Sequence, residues 1–167
     1  VKDREFIGYS YDGADASFEI LVKKVIGEMP SFFDVKNFNV NVENSGEEGS
    51  TLSHAEVSLI FDGNEIVGTG DGVGPVNALD KALRNNFESS EYASSIEDLS
   101  LIDYKVRILN TGTDAITRVS IESSDKNKKS WYTVGVSENI IEASFRALID
   151  SVEYKLLKEK VAPFKSN

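Results

Sequence analysis

Cysteine is absent from the 167 residues, which excludes disulfides, thiolate zinc sites and thiol nucleophiles together. Histidine occurs once, as His54, and a catalytic triad or a His-rich metal site is hard to build from one imidazole. Positive charge is scarce: 18 basic residues stand against 28 acidic ones, for a net charge of −10. A polyanionic partner needs a clustered positive surface, so nucleic acid is not expected. No apolar run approaches the ~18 residues of a membrane span, and no signal-peptide pattern opens the chain. The expectation is a cytoplasmic protein without a membrane partner.

What is present is ordinary for a globular chain. Hydrophobic residues make up 40% and charged residues 28%. The length suits one domain or two small fused units and suffices for a genuine core. His54 lies on the polar side of the alternating run His54-Ala55-Glu56-Val57-Ser58-Leu59 and reads as a solvent-facing strand residue.

Along the chain, Phe18, Leu21, Val22 and Val25 recur at helical spacing between Ala14 and Glu28. Asp12 reads as the N-cap, with Gly27 and Pro30 ending the helix. This is a lead-in element over residues 1–30. Three strand-like runs follow: Phe38, Val40 and Val42; then Ala55, Val57, Leu59 and Phe61; and, after an Asp62-Gly63-Asn64 turn, Glu65 to Thr69. A polar loop from Asn44 to Ser50 separates the first two. Gly70-Asp71-Gly72-Val73-Gly74-Pro75 then turns into a helix with Val76, Leu79, Leu83 and Phe87 on one face, Pro75 suiting the first helical position.

The same order recurs. Tyr104, Val106 and Ile108 alternate with Lys105 and Arg107; a turn at Asn110-Thr111-Gly112 leads to Thr117, Val119 and Ile121. Asp125 to Lys129 forms the next turn, Trp131 to Val136 the third strand, and Ser137 caps a long helix carrying Ile141, Phe145, Leu148, Val152 and Leu156. At an offset of 65, Gly70 matches Gly135, Ala78 matches Ala143, Ala82 matches Ala147 and Leu83 matches Leu148. Upstream the register slips by one, Val57 aligning with Ile121. The fold class is therefore α+β: two βββα units, 31–92 and 98–160, within a domain spanning 31–160, packed about a pseudo-two-fold and followed by a tail over 161–167.

Chemistry concentrates at the two strand-to-helix turns, Gly70 to Pro75 and Gly135 to Asn139. Helix starts leave N–H groups unpaired and carry partial positive charge, so they take carboxylates, and glycine lets a ligand approach the backbone. The bland alternative is a tight turn and nothing more. No Lys-Ser/Thr pair follows the glycines as a phosphate loop requires, and the βαβ alternation of a dinucleotide fold is missing. Asp103-Tyr104-Lys105 and Thr113-Asp114-Ala115 also admit a reading as ordinary strand-edge residues. The pairs Glu88/Glu91 and Glu122/Asp125 lack a nearby base, metal ligand or nucleophile and read as solvated faces.

Several runs together carry a family resemblance. Gly70-Asp71-Gly72-Val73-Gly74-Pro75-Val76-Asn77-Ala78-Leu79, Leu101 to Leu109, Gly112-Thr113-Asp114-Ala115, Arg118-Val119 and Trp131 to Ser144 resemble, in order, the C-terminal allosteric domain of the 2-isopropylmalate synthase family. Gly8-Tyr9 to Leu21 resembles the lead-in of citramalate-type members, and the runs Asp103 to Arg107 and Val136 to Ser144 resemble those members more than leucine-type ones.

The resemblance implies a non-catalytic module attached to a metal-dependent barrel that condenses acetyl-CoA with pyruvate or 2-oxoisovalerate. It implies a homodimer and feedback control by isoleucine or leucine. No cofactor is expected in this segment, while the barrel is expected to use a divalent metal. Carried over by motif, the effector residues are Gly72, Gly74, Val76, Asn77, Asp103, Tyr104, Ile108, Ala115, Thr117, Val136, Ser137, Glu138 and Asn139. Backbone N–H groups with Asn or Ser would take the carboxylate, Asp103 or Glu138 the ammonium, and Val76, Ile108 and Ala115 the aliphatic tail. The competing reading is a purely structural dimerisation module, motivated by the long apolar stripe of the last helix.

Overall fold

The computed structural model describes residues 2, 11, 13–109 and 115–163. The Asp12 cap, the Gly8-Tyr9 part of the lead-in, the Asn110-Thr111-Gly112 turn and the Thr113-Asp114 pair lie outside them. In chain order the elements are α1 (Asp15–Ile26), β1 (Asp34–Asn44), β2 (Thr51–Phe61), β3 (Asn64–Gly72), α2 (Pro75–Phe87), α3 (Ala93–Ile96), β4 (Ser100–Ile108), β5 (Thr117–Ser124), β6 (Ser130–Ser137) and α4 (Ile140–Lys158). Strand-strand-strand-helix therefore occurs twice, as the repeat in the letters requires. The chain divides into two compact units, one of residues 31–96 with 161–167, the other of 1–30 with 97–160.

In the first unit β1, β2 and β3 form an antiparallel sheet in that order. The β2–β3 hairpin closes through Asp62 (φ 48°) and Gly63 (φ 77°), the paired positive φ values of a turn whose twist matches its strands. Along β2 the alternate residues Ser53, Ala55, Val57, Leu59 and Phe61 are buried, and α2 lies over them with Ala78, Leu79, Ala82, Leu83 and Phe87. Phe33, Phe61 and Phe87 close one end of this core, with Phe87 meeting the other two rings edge-on at 5.4 Å. Tyr92 joins them beside Phe32, and burial, with Glu91 adding, pushes its phenol up to about 12. The short α3 was not legible in the sequence. His54 is exposed on the opposite, polar face, 2.7 Å from Asp71, whose hydrogen bond raises the imidazole pKa.

The second unit repeats the sheet as β4-β5-β6. Thr117, Val119, Ile121 and Ser123 of β5 are buried beneath α4, which contributes Ala143, Phe145, Ala147, Leu148, Val152 and Leu156. The polar atoms in this layer are paired: Trp131 Nε1 donates to Ser151, Ser151 to Ser123, and Thr133 to the Ala147 carbonyl. Lys155, 3% exposed, meets Asp98 at 2.9 Å and also Glu159. Burial alone would lower its pKa, yet those two carboxylates raise it.

The offset-65 matches have a structural reason. A Cβ on Gly70 would stand 2.5 Å from the Ala78 carbonyl oxygen and 2.5 Å from the Ala82 nitrogen; on Gly135 it would stand 1.9 Å from the Ala143 oxygen. Each helix thus seats its alanines directly on a glycine of its third strand. Gly70 and Gly135 belong to β3 and β6 and serve helix-on-strand contact, so the turns proper are shorter than the sequence suggests.

The lead-in helix, expected as a separate element, packs against β6 and α4. Val134 and Val136 are buried with Tyr11 and Ala14, and Leu21 and Ile116 flank them. Ser17 accepts the Val134 N–H at 2.9 Å and donates to Asp150 at 2.7 Å. Ion pairs Lys24–Glu153 and Lys158–Glu19 fix the helix to α4 at 2.9 Å each. An open strand edge invites unwanted pairing, and α1 covers that of β6. Its own end follows the expected signal, with Gly27 left-handed at φ 75°.

Candidate functional site

β3 ends at Gly72, and two residues later α2 begins at Pro75, with Gly74 extended as the N-cap. Pro75 has no N–H to satisfy, and the Ala78 N–H returns to the Gly74 carbonyl at 3.1 Å. That leaves the N–H groups of Val76 and Asn77, and no side chain caps them. No acidic residue stands in the first turn. A Cβ on Gly74 would meet nothing within 4 Å, so the approach to the helix start is open. A Cβ on Gly72 would instead lie 2.4 Å from Asn77 Oδ1, so glycine there lets the Asn77 side chain fold back on the strand end. The result is an uncapped, electropositive helix end.

The start of α4 is the reverse. Asn139 is the N-cap, in the place expected for Ser137, and its Oδ1 accepts from Ile141 N at 2.8 Å and Glu142 N at 3.2 Å. Ser137, the last residue of β6, donates to Glu142 at 2.5 Å and accepts from the Asn139 N–H at 3.1 Å. Arg146 closes the group, bonding the Val136 carbonyl and the Glu142 carboxylate at 2.8 and 2.7 Å. The Ser137 hydrogen bond, with Arg146 adding to it, holds the Glu142 carboxyl below its ordinary value against the effect of burial. This helix end is already satisfied by its own side chains.

The remaining expected residues separate by face. Ile108, Thr117 and Ser137 are register partners across β4, β5 and β6 and form one row on the α4 side, with Ala115 two residues before Thr117. Ile108 is 64% exposed, and Glu138 and Asn139 are exposed beside the row. Tyr104 is on the same side, opposite Ile121, and its hydroxyl lies 2.9 Å from that of Ser144. Asp103 pairs with Glu122 on the other side, where Lys105 and the Tyr104 N–H lower its pKa. Val136 is 4% exposed, taken up under the lead-in helix.

In the matching row of the first unit, Val42–Ser53–Gly72, residue-by-residue reading named Gly72 and missed Val42 and Ser53. Ser53 is 1% exposed and its Oγ has no hydrogen-bond partner. A signal for it existed: the slip that aligns Val57 with Ile121 also aligns Ser53 with Thr117. Among the described residues no group of three His, Asp or Glu could hold a metal ion, and no helix is long and apolar enough to cross a membrane.

Comparison with known proteins identifies the family. The sequence profile of the LeuA allosteric (dimerisation) domain matches residues 12–156. The (R)-citramalate synthase of Geobacter sulfurreducens is 45% identical over 162 residues, covering 96% of this chain and 30% of that protein. The Aquifex aeolicus (R)-citramalate synthase is 44% identical, again over 96% of the chain and 30% of the relative. A 2-isopropylmalate synthase of Clostridium kluyveri is 31% identical over 83% of the chain and 24% of its own length. The chain thus spans about a third or less of the length of the relatives it matches.

Proposed function

The chain belongs to the LeuA allosteric (dimerisation) domain family, and from that premise we propose that it senses a branched-chain amino acid and pairs two copies of a citramalate- or isopropylmalate-forming synthase. The observation that carries the sensing role is the uncapped start of α2. Two aligned N–H groups, Val76 and Asn77, with partial positive charge behind them and a glycine approach before them, suit the α-carboxylate of an amino acid. The contrast with α4 supports the reading, because there the Asn139 side chain occupies the two equivalent donors, Ile141 N and Glu142 N, and Ser137 and Glu142 bond each other beside it. The second unit carries features of its own that suit the same class of ligand: Ile108 is exposed and Ala115 half-buried, both aliphatic, and Glu138 presents an exposed carboxylate.

The remainder of the proposal concerns the whole protein. Its catalytic part joins acetyl-CoA to a 2-oxo acid, pyruvate or 2-oxoisovalerate, on a divalent metal held outside this segment. Amino-acid binding here feeds back on that reaction by favouring one arrangement of the assembly. Isoleucine leads as effector with leucine next, and discrimination between them is modest, since one methylene in an apolar pocket is worth about 1–3 kcal/mol.

Calorimetric titration with isoleucine, leucine and valine tests the sensing role. Saturable heat and a raised melting temperature with at least one are expected. Silence with all three overturns sensing and leaves a dimerisation module, whose mark is a dimer by light scattering with no ligand response.

A further inference from the structure

We propose that Ser53 is a ligand-reading residue of the open helix start, its hydroxyl donating to the carboxylate that Val76 and Asn77 receive. The proposal rests on the sensing role above and extends it to a residue on a central strand, outside the glycine turn.

Three features of the first unit converge on it. Ser53 is 1% exposed and its Oγ is without a partner, whereas buried hydroxyls are ordinarily paired. Its side chain is also aimed at the helix start. Ser53 is the register partner of Gly72, and the side-chain direction at Gly72 runs to Asn77 Oδ1 and to Ala78 N, 2.4 and 2.9 Å from where a Cβ would stand. Paired residues on antiparallel strands project to the same face, so the Ser53 hydroxyl stands one strand away from the uncapped first turn of α2. On its other side Ser53 pairs with Val42, a side chain 52% exposed on that same face. Donor hydroxyl, free N–H pair and aliphatic neighbour together match the head and tail of a small aliphatic α-amino acid. A hydroxyl kept unpaired in the free protein is a cost to folding that a ligand would remove.

The test is calorimetry and thermal melting on the 167-residue chain and its Ser53→Ala variant, with L-isoleucine, L-leucine and leucinamide as probes. The expected result is an amino acid bound by the unsubstituted chain, leucinamide bound far more weakly, and a loss of about tenfold in affinity in Ser53→Ala, about 1.4 kcal/mol. The ligand-free variant should melt at or above the original, by up to about 2–4 °C, because an unsatisfied buried polar atom is gone. A Ser53→Ala variant that binds as tightly as the original overturns the role of Ser53 alone. So does one whose melting temperature falls together with its affinity, since the hydroxyl is then structural. Leucinamide binding as well as leucine overturns the carboxylate contact. If the unsubstituted chain binds neither amino acid, the sensing role falls and this proposal with it.

Discussion

At the start of α2 the chain presents two free N–H groups behind a glycine cap, with a buried hydroxyl one strand away; at the start of α4 the same places of the repeat are filled. Gly72, Gly74 and Asn77 correspond, at an offset of 65, to Ser137, Asn139 and Glu142. Those three side chains close α4 from within, so three positions separate an open helix end from a self-satisfied one. The helix-on-strand joint behind each start stayed alike, glycine against two alanines, because contact at that distance leaves no room for change. A duplicated unit can thus diverge at its rim while its packing joint stays fixed.

The largest effect is expected where the units are alike. Gly135→Ala should destabilise the second unit by about 3 kcal/mol, the top of the usual range for overpacking, and Gly70→Ala the first by somewhat less. The order follows the closer approach at Gly135, 1.9 Å against 2.5 Å. Urea unfolding of both variants checks it, and equal, small losses would break the equivalence of the joints.

Next come differences between the units. Ser17→Ala leaves the Val134 N–H and Asp150 without their shared partner, at a cost of about 1–3 kcal/mol. Hydrogen exchange at Val134 should quicken, while the first unit, which has no lead-in helix, keeps its rates.

Exchanging the caps sharpens the contrast further. Asn139→Ala should lose about 0.5–2 kcal/mol, and Gly74→Asn should gain a few tenths while abolishing amino-acid binding, since the new side chain occupies Val76 and Asn77. Gly74→Asn that binds normally would place the ligand elsewhere.

The smallest effect is with pH. The Glu142 carboxyl titrates below its ordinary 4.5. Its contribution is therefore present above that value and disappears as pH falls through the lowered one. Amides at the start of α4 should lose protection over that interval, while those at the start of α2, with no acid in its first turn, stay level.

Much of this was legible in the letters. The alternation of β2 and β5, the Asp62-Gly63 turn, Pro75 at the first helical position and the doubled order all follow from periodicity and turn chemistry. The lead-in helix was legible as a helix but not as a cover for β6, because edge protection depends on a strand more than a hundred residues away, as the Ser17–Val134 bond shows. The site was legible only in outline. Gly70 and Gly135 look like turn glycines, yet their purpose is contact with a helix, which spacing cannot reveal. Ser53 is one serine among polar neighbours until pairing places it beside Gly72. Asp103 and Val136 sit within the right motifs, but strand alternation sends both side chains to the face away from α4.

The central claim is that one of the two helix starts is open to a carboxylate and the other is not. Amide chemical-shift mapping during titration of the isotope-labelled chain with isoleucine reads both at once. The account predicts saturable shifts at Val76 and Asn77 with Ile141 and Glu142 held in place by Asn139; shifts confined to Ile141 and Glu142 would contradict it.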